Sequence, residues 1–148
     1  MLTENLHQTL TVLYPLYKRE VYKRREQMMR LTMIGAAGLI AMLCAWFLRS
    51  PAHEVSAHES LLIGLAGLLW SALVGGIVLQ QQYRHRLAKQ ILVQLEQAMG
   101  FYEEGLFAEH QPLYPHAWKT AWLHDRSVGF YLSILGLLNG ILLLALFL

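Results

Sequence analysis

The sequence predicts an all-α integral membrane protein: three transmembrane helices with helical stalk extensions on the cytoplasmic side. Three observations carry that prediction. Of 148 residues, 55% are hydrophobic and only 15% are charged. The apolar residues gather into blocks at 31–48, 61–79 and 128–148 that contain no Asp, Glu, Lys, Arg or His. Each block is about 18 to 21 residues long, the length a helix needs to cross a hydrocarbon core about 30 Å thick. None keeps the polar stripe by which a helix of a soluble bundle faces water. The chain divides accordingly into a cytoplasmic amino-terminal helical segment (1–30), a transmembrane hairpin (31–79), a cytoplasmic amphipathic helix with an interfacial loop (80–127), and a third transmembrane helix (128–148).

In the first segment, Leu6, Leu10, Leu13, Leu16 and Tyr17 recur at the three- and four-residue spacing of one helical face. Pro15 interrupts it, and proline is tolerated in a first turn but not in a helix interior. A short helix, a break near Tyr14 and a second helix from Pro15 are therefore expected. No further Pro or Gly occurs before Gly35, so the second helix runs on into the first span as a stalk, with Glu20/Arg24 and Glu26/Arg30 as i,i+4 pairs. Thirty residues of charged sequence precede the first apolar block, unlike the short basic leader of a cleaved signal. The single cysteine, Cys44, lies inside that block with no second thiol to pair with. It reads as a small lipid-compatible residue.

Ser50-Pro51 ends the first span, and the short connection 49–60 makes the first two spans antiparallel neighbours. Beyond the second span, Gln80-Gln81-Gln82-Tyr83 marks the exit from the bilayer. Ala88, Ile91, Leu95, Ala98 and Tyr102 then form an apolar stripe on a continuing helix, expected to pack on the first stalk. Gly100 and Gly105 weaken that helix, and a loop follows to Pro115. Pro112, Tyr114, Pro115, Trp118 and Trp122 have the composition of chain lying at headgroup level, with a short interfacial helix from about His116 to His124 leading into the third span.

Eleven of the twelve Lys and Arg residues lie before residue 31 or between residues 79 and 128, and only Arg49 falls in the other connection. Basic residues beside spans stay on the cytoplasmic side. The amino terminus and the second loop are thus expected inside, the carboxyl end outside, and the protein in the inner (cytoplasmic) membrane. Lys18, Arg19, Lys23, Arg24, Arg25 and Arg30 stand immediately before a span. Anionic lipid headgroups, at about 1 kcal/mol per basic residue, are the expected contact rather than nucleic acid. Trp118 and Trp122 complete the expected membrane-interface set.

Little in the sequence points to chemistry. His53-Glu54 and His58-Glu59 recur at five residues, wrong for ligands on one helical face, and read as solvated loop rather than a zinc site. His110, His116 and His124 read as interfacial polar residues. No Ser-His-Asp order, Gly-rich phosphate loop or HExxH motif is present, and no ionisable residue lies inside a span as a proton or ion path requires. No enzyme, metal or cofactor is expected.

The spans instead carry small residues at close-packing intervals. Ala37, Ala41 and Ala45 lie in the first, Gly67, Ser71 and Gly75 in the second, and Gly129, Ser133, Gly136 and Gly140 in the third. Such stripes let helix backbones approach in lipid, where hydrophobic drive is absent. Asn139 is the strongly polar side chain at depth in the third span and can bond across to another helix for about 0.6 to 2 kcal/mol. Gly67, Ser71, Gly75, Gly136, Asn139 and Gly140 are the expected helix-packing residues. Spacing alone does not choose between closing a bundle within one chain and joining copies.

The run from Tyr17-Lys18 through Tyr22-Lys23-Arg24-Arg25-Glu26 into a transmembrane hairpin, then an amphipathic helix ending Leu95-Glu96 and a Pro/Trp segment, resembles the SLATT class of bacterial membrane proteins. The likeness covers Tyr17 to about Trp118 and is one of helix order. The third span departs from it. The resemblance implies a stalk, two spans and a second stalk, and a pore-forming role in nucleotide-triggered defence. The sequence-level expectation is a non-enzymatic membrane protein associating through its helices, as a homo-oligomer that forms or gates a pore. The alternative is a small accessory subunit docking on a larger membrane-protein partner.

Overall fold

The structure is a computed structural model that describes residues 2–49, 56–107, 109–121 and 127–147, with backbone alone at 2–7, 120 and 121. It is all-helical: α1 (Leu2–Leu48), α2 (Ala57–Ala98), the short α3 (Ala117–Ala121) and α4 (Ser127–Phe147), with no strand among the described residues. α1, α2 and α4 are each long and apolar enough to cross a membrane.

α1 has no break at Pro15, contrary to the expectation from its sequence. Proline removes one backbone donor and costs about 3 kcal/mol in a helix interior. Packing on both sides of it offsets that cost. Tyr14 and Tyr17 lie against a small core of Val21, Ala88 and Leu92, and Pro15 itself points outward.

The contacts fall into two compact units, Met1–Glu26 with Gln81–Arg126, and Gln27–Gln80 with Ser127–Leu148. In the first unit α1 and α2 are antiparallel, with Tyr14 reaching Glu96 and Arg24 bonding to Gln81 at 3.4 Å. The buried face of α2 here carries Gln82, His85, Ala88, Leu92 and Glu96. The expected stripe was therefore displaced: Ile91 and Ala98 are exposed. The polar residues Gln82, His85 and Glu96 share the three- and four-residue register of this face with Ala88 and Leu92.

α2 ends in a Schellman motif. Gly100, at φ 75°, donates to the Gln97 carbonyl at 3.1 Å, and Phe101 donates to the Glu96 carbonyl at 3.0 Å. Only glycine adopts that backbone cheaply. The reversal brings Phe101 and Tyr102 back over the helix end, and Tyr114 N–H donates to the Phe101 carbonyl at 2.9 Å to hold the following loop.

In the second unit α1, α2 and α4 enclose Leu39, Val74, Val78, Leu135, Leu142 and Leu146. α2 starts at a capping box that the sequence reading passed over. Glu59 N–H donates to Ser56 Oγ at 3.3 Å, and Ser56 N–H donates back to Glu59 Oε2 at 3.2 Å. Two tryptophans tie the helices by their indole N–H groups. Trp70 donates to the Gly35 carbonyl at 3.0 Å, and Trp46 to the Ala145 carbonyl at 2.9 Å. The latter lies in the last turn of α4, where carbonyls have no partner within the helix.

Candidate functional site

Small residues position the spanning helices, but only some of those singled out by spacing. A methyl placed at Gly67 would fall 2.6 Å from Leu142 Cδ2 and 3.1 Å from Asn139 Oδ1, so α2 and α4 meet there at closest approach. Gly75 is buried and looser, with Leu132 Cδ2 3.5 Å from where a methyl would lie. Ser71 is half-buried. Asn139 is buried on the same seam, and among the described residues its Oδ1 and the Ser71 Oγ accept no hydrogen bond. Gly136 and Gly140 lie elsewhere: nothing stands within 4 Å of a methyl at either. The same holds at Gly129, and Ser133 is exposed with its hydroxyl bonded back to the Gly129 carbonyl at 2.8 Å.

The corresponding contact on α1 is Gly35 and Gly38, not Ala37, Ala41 and Ala45, which are exposed. A methyl at Gly35 would sit 2.8 Å from Val74 Cγ1 and 2.9 Å from Leu135 Cδ2. One at Gly38 would sit 2.6 Å from Trp70 Nε1. The signal available in the sequence was the Gly-x-x-Gly spacing opposite a tryptophan on the neighbouring helix.

The first unit holds a polar and aromatic cluster that periodicity did not reveal. Tyr102 donates to Glu96 Oε2 at 2.6 Å, and Tyr14 lies 3.5 Å from Oε1. The Tyr14 and Tyr114 hydroxyls are 3.2 Å apart. When Tyr14 donates to Glu96, Tyr114 donates to Tyr14, a relay of phenols ending on one carboxylate. Glu96 is only 5% exposed. Ring edges meet ring faces around it: Tyr14 with Phe101 at 84°, Phe101 with Tyr114 at 82°, and Tyr102 with Tyr114 at 66°. The Lys18 ammonium sits 5.4 Å from the Tyr14 ring centre, and that of Lys119 sits 4.7 Å from the Tyr102 ring centre.

Burial pushes both phenols above their usual range. For Tyr14 the hydrogen bond and charge of Tyr114 add to it, then those of Glu96; for Tyr102 the hydrogen bond to Glu96 adds most after burial. Both are neutral donors at ordinary pH. A cavity of about 270 Å³ opens among Tyr14, Lys18, Tyr22, Glu96, Tyr102, Tyr114 and Trp118.

The basic residues expected to face headgroups are not alike. Arg19, Lys23, Arg25 and Arg30 are exposed. Lys18 lines the cavity, and Arg24 is drawn inward by Glu20 at 2.5 Å and by Gln81. Trp118 is 5.5 Å from Tyr114, centre to centre, and keeps one side open. Trp122, His124, His53 and Glu54 lie outside the described residues.

No family model, curated protein or solved structure matches the chain.

Proposed function

We propose that this chain is a multi-pass protein of the inner membrane, with its amino terminus and residues 80–127 cytoplasmic and its carboxyl end outside, and that it works by assembling with further copies of itself through α4 rather than by catalysis. The observation that carries the reading is the open face of α4. Gly136 and Gly140 sit at close-packing spacing with empty space where a side chain would be, and small residues at that spacing are what lets one helix backbone lie on another in lipid.

Two further facts support it. Of the most apolar stretch of α1, α2 and α4, only 17%, 28% and 22% is buried within the chain, so most of that surface awaits lipid or protein. The orientation rests on the Lys and Arg residues, eleven of twelve of which lie before residue 31 or between residues 79 and 128, since basic residues beside spans are retained on the cytoplasmic side. The conducting pathway implied by the resemblance to the SLATT class would need a wetted wall. Among the described residues of the apolar blocks 31–48, 61–79 and 128–148, the buried polar side chains are Thr32 and Asn139, too little polar surface to wet such a wall, which favours assembly over conduction.

Gly136→Ile and Gly140→Ile, reconstituted in bilayers and counted by stepwise photobleaching of single fluorophores, test the proposal. The wild type is expected as an oligomer and the variants shifted towards monomers. An unchanged distribution overturns it, as does a wild type found only with one stoichiometric larger partner.

A further inference from the structure

The cavity of the first unit has a chemistry that neither the helix packing nor the assembly of copies uses. Five aromatic rings line it, Tyr14, Tyr22, Tyr102, Tyr114 and Trp118, with Tyr102 steep to Tyr114 at 66° and Trp118 tilted from it by 33°, so that π faces look into the space from more than one direction. Such faces attract cations. At one side lies the Glu96 carboxylate, 95% removed from solvent, held by two phenol donors. The Lys18 and Lys119 ammoniums sit over the faces of the Tyr14 and Tyr102 rings. A carboxylate this deeply buried carries a desolvation cost that a cation in the cavity would offset.

Lys18 also lines the cavity, so the lining offers one negative and one positive group. We propose that this cavity binds a small zwitterion, its methylated ammonium among the rings against Glu96 and its anionic end at Lys18. A primary ammonium brings three donors and needs as many acceptors, whereas a methylated one needs none beyond the carboxylate and the ring faces. At about 270 Å³ the space is below that of most drug-sized ligand sites and suits a headgroup-sized molecule. The same chemistry occurs in zwitterionic lipid headgroups and in free betaine-like solutes.

The test uses the full chain in a maltoside detergent and calorimetric titration with phosphocholine, tetramethylammonium and the isostere of phosphocholine in which carbon replaces nitrogen, which keeps the phosphate and loses the cation. Saturable phosphocholine binding is expected, weakened about tenfold or more for the isostere and in Glu96→Gln, since a lost charge contact of about 1.4 kcal/mol is a factor of ten. Lys18→Gln, at a half-exposed position, is expected to weaken phosphocholine while leaving tetramethylammonium unchanged. Equal binding of the isostere, absence of saturable phosphocholine binding, or indifference to Lys18→Gln overturns the proposal, and these arms decide it even if Glu96→Gln does not fold. Phosphatidylcholine nanodiscs identify the source. Loss of soluble phosphocholine binding in them points to the lipid headgroup, and retention to a free solute. Neither result depends on whether copies assemble through α4.

Discussion

The Tyr102 phenol donates to Glu96 across a 2.6 Å bond between two groups that are almost wholly buried. Because Glu96 is two residues before the last residue of α2, Ala98, and Tyr102 follows the left-handed turn at Gly100, that bond fastens the loop onto the helix that precedes it. Tyr102→Phe keeps the ring and removes the donor. A hydrogen bond to a charged group contributes about 1.5–3 kcal/mol, so the first unit should lose about that much stability. Amide hydrogen exchange across residues 88–98 is expected to accelerate accordingly, with α4 unaffected.

The same phenols set the behaviour at high pH. An unfolded chain releases a tyrosine proton near the ordinary value of 10.0, whereas Tyr14 and Tyr102 in the folded unit hold theirs to higher pH, chiefly because they are buried. The folded state then binds more protons than the unfolded state, and the linkage relation makes stability fall as pH rises. Stability should be level below pH 10.0 and decline above it. A denaturation series from about pH 8 to about pH 11 should show this decline, and Tyr14→Phe and Tyr102→Phe should each make it shallower.

Gly100 is held at φ 75° by the Schellman bonds, and a methyl there would also fall 2.6 Å from Leu106 Cδ2. Gly100→Ala should cost about 1–2 kcal/mol, and Gly100→Asn less, since asparagine tolerates the left-handed region. Limited proteolysis of the loop between α2 and α3 should rank the three proteins in that order.

The three long apolar helices were legible because lipid-length runs without charge follow directly from composition. The loop after Ala98 was legible because Gly100 and the prolines mark it. The seam and the cavity were less so. Gly67 reads as a packing residue from its spacing alone, but the same spacing also marks Gly136, and only the direction each faces separates them. Glu96 occupies the helical register of Ala88 and Leu92, yet a carboxylate there looks like solvent-facing surface until the phenols of Tyr14 and Tyr102, remote in sequence, are placed beside it. Pro15 misled for the converse reason, since a local rule was outweighed by packing between distant residues.

Gly67 and Gly136 should therefore respond oppositely to one substitution. At Gly67 even a methyl would meet Leu142 Cδ2 at 2.6 Å, and an isoleucine would have to force α2 and α4 apart. Overpacking of this kind costs about 1–3 kcal/mol or more. At Gly136 nothing stands within 4 Å, so isoleucine leaves the fold of the chain unstrained and gains about 1 kcal/mol or less from helix propensity. Thermal unfolding of the two variants, both as detergent-solubilised monomers, should lower the midpoint for Gly67→Ile and leave it unchanged or raised for Gly136→Ile. A drop of similar size in both would mean that α4 buries its glycine face within the chain, and the assembly proposed through that face would lose its basis.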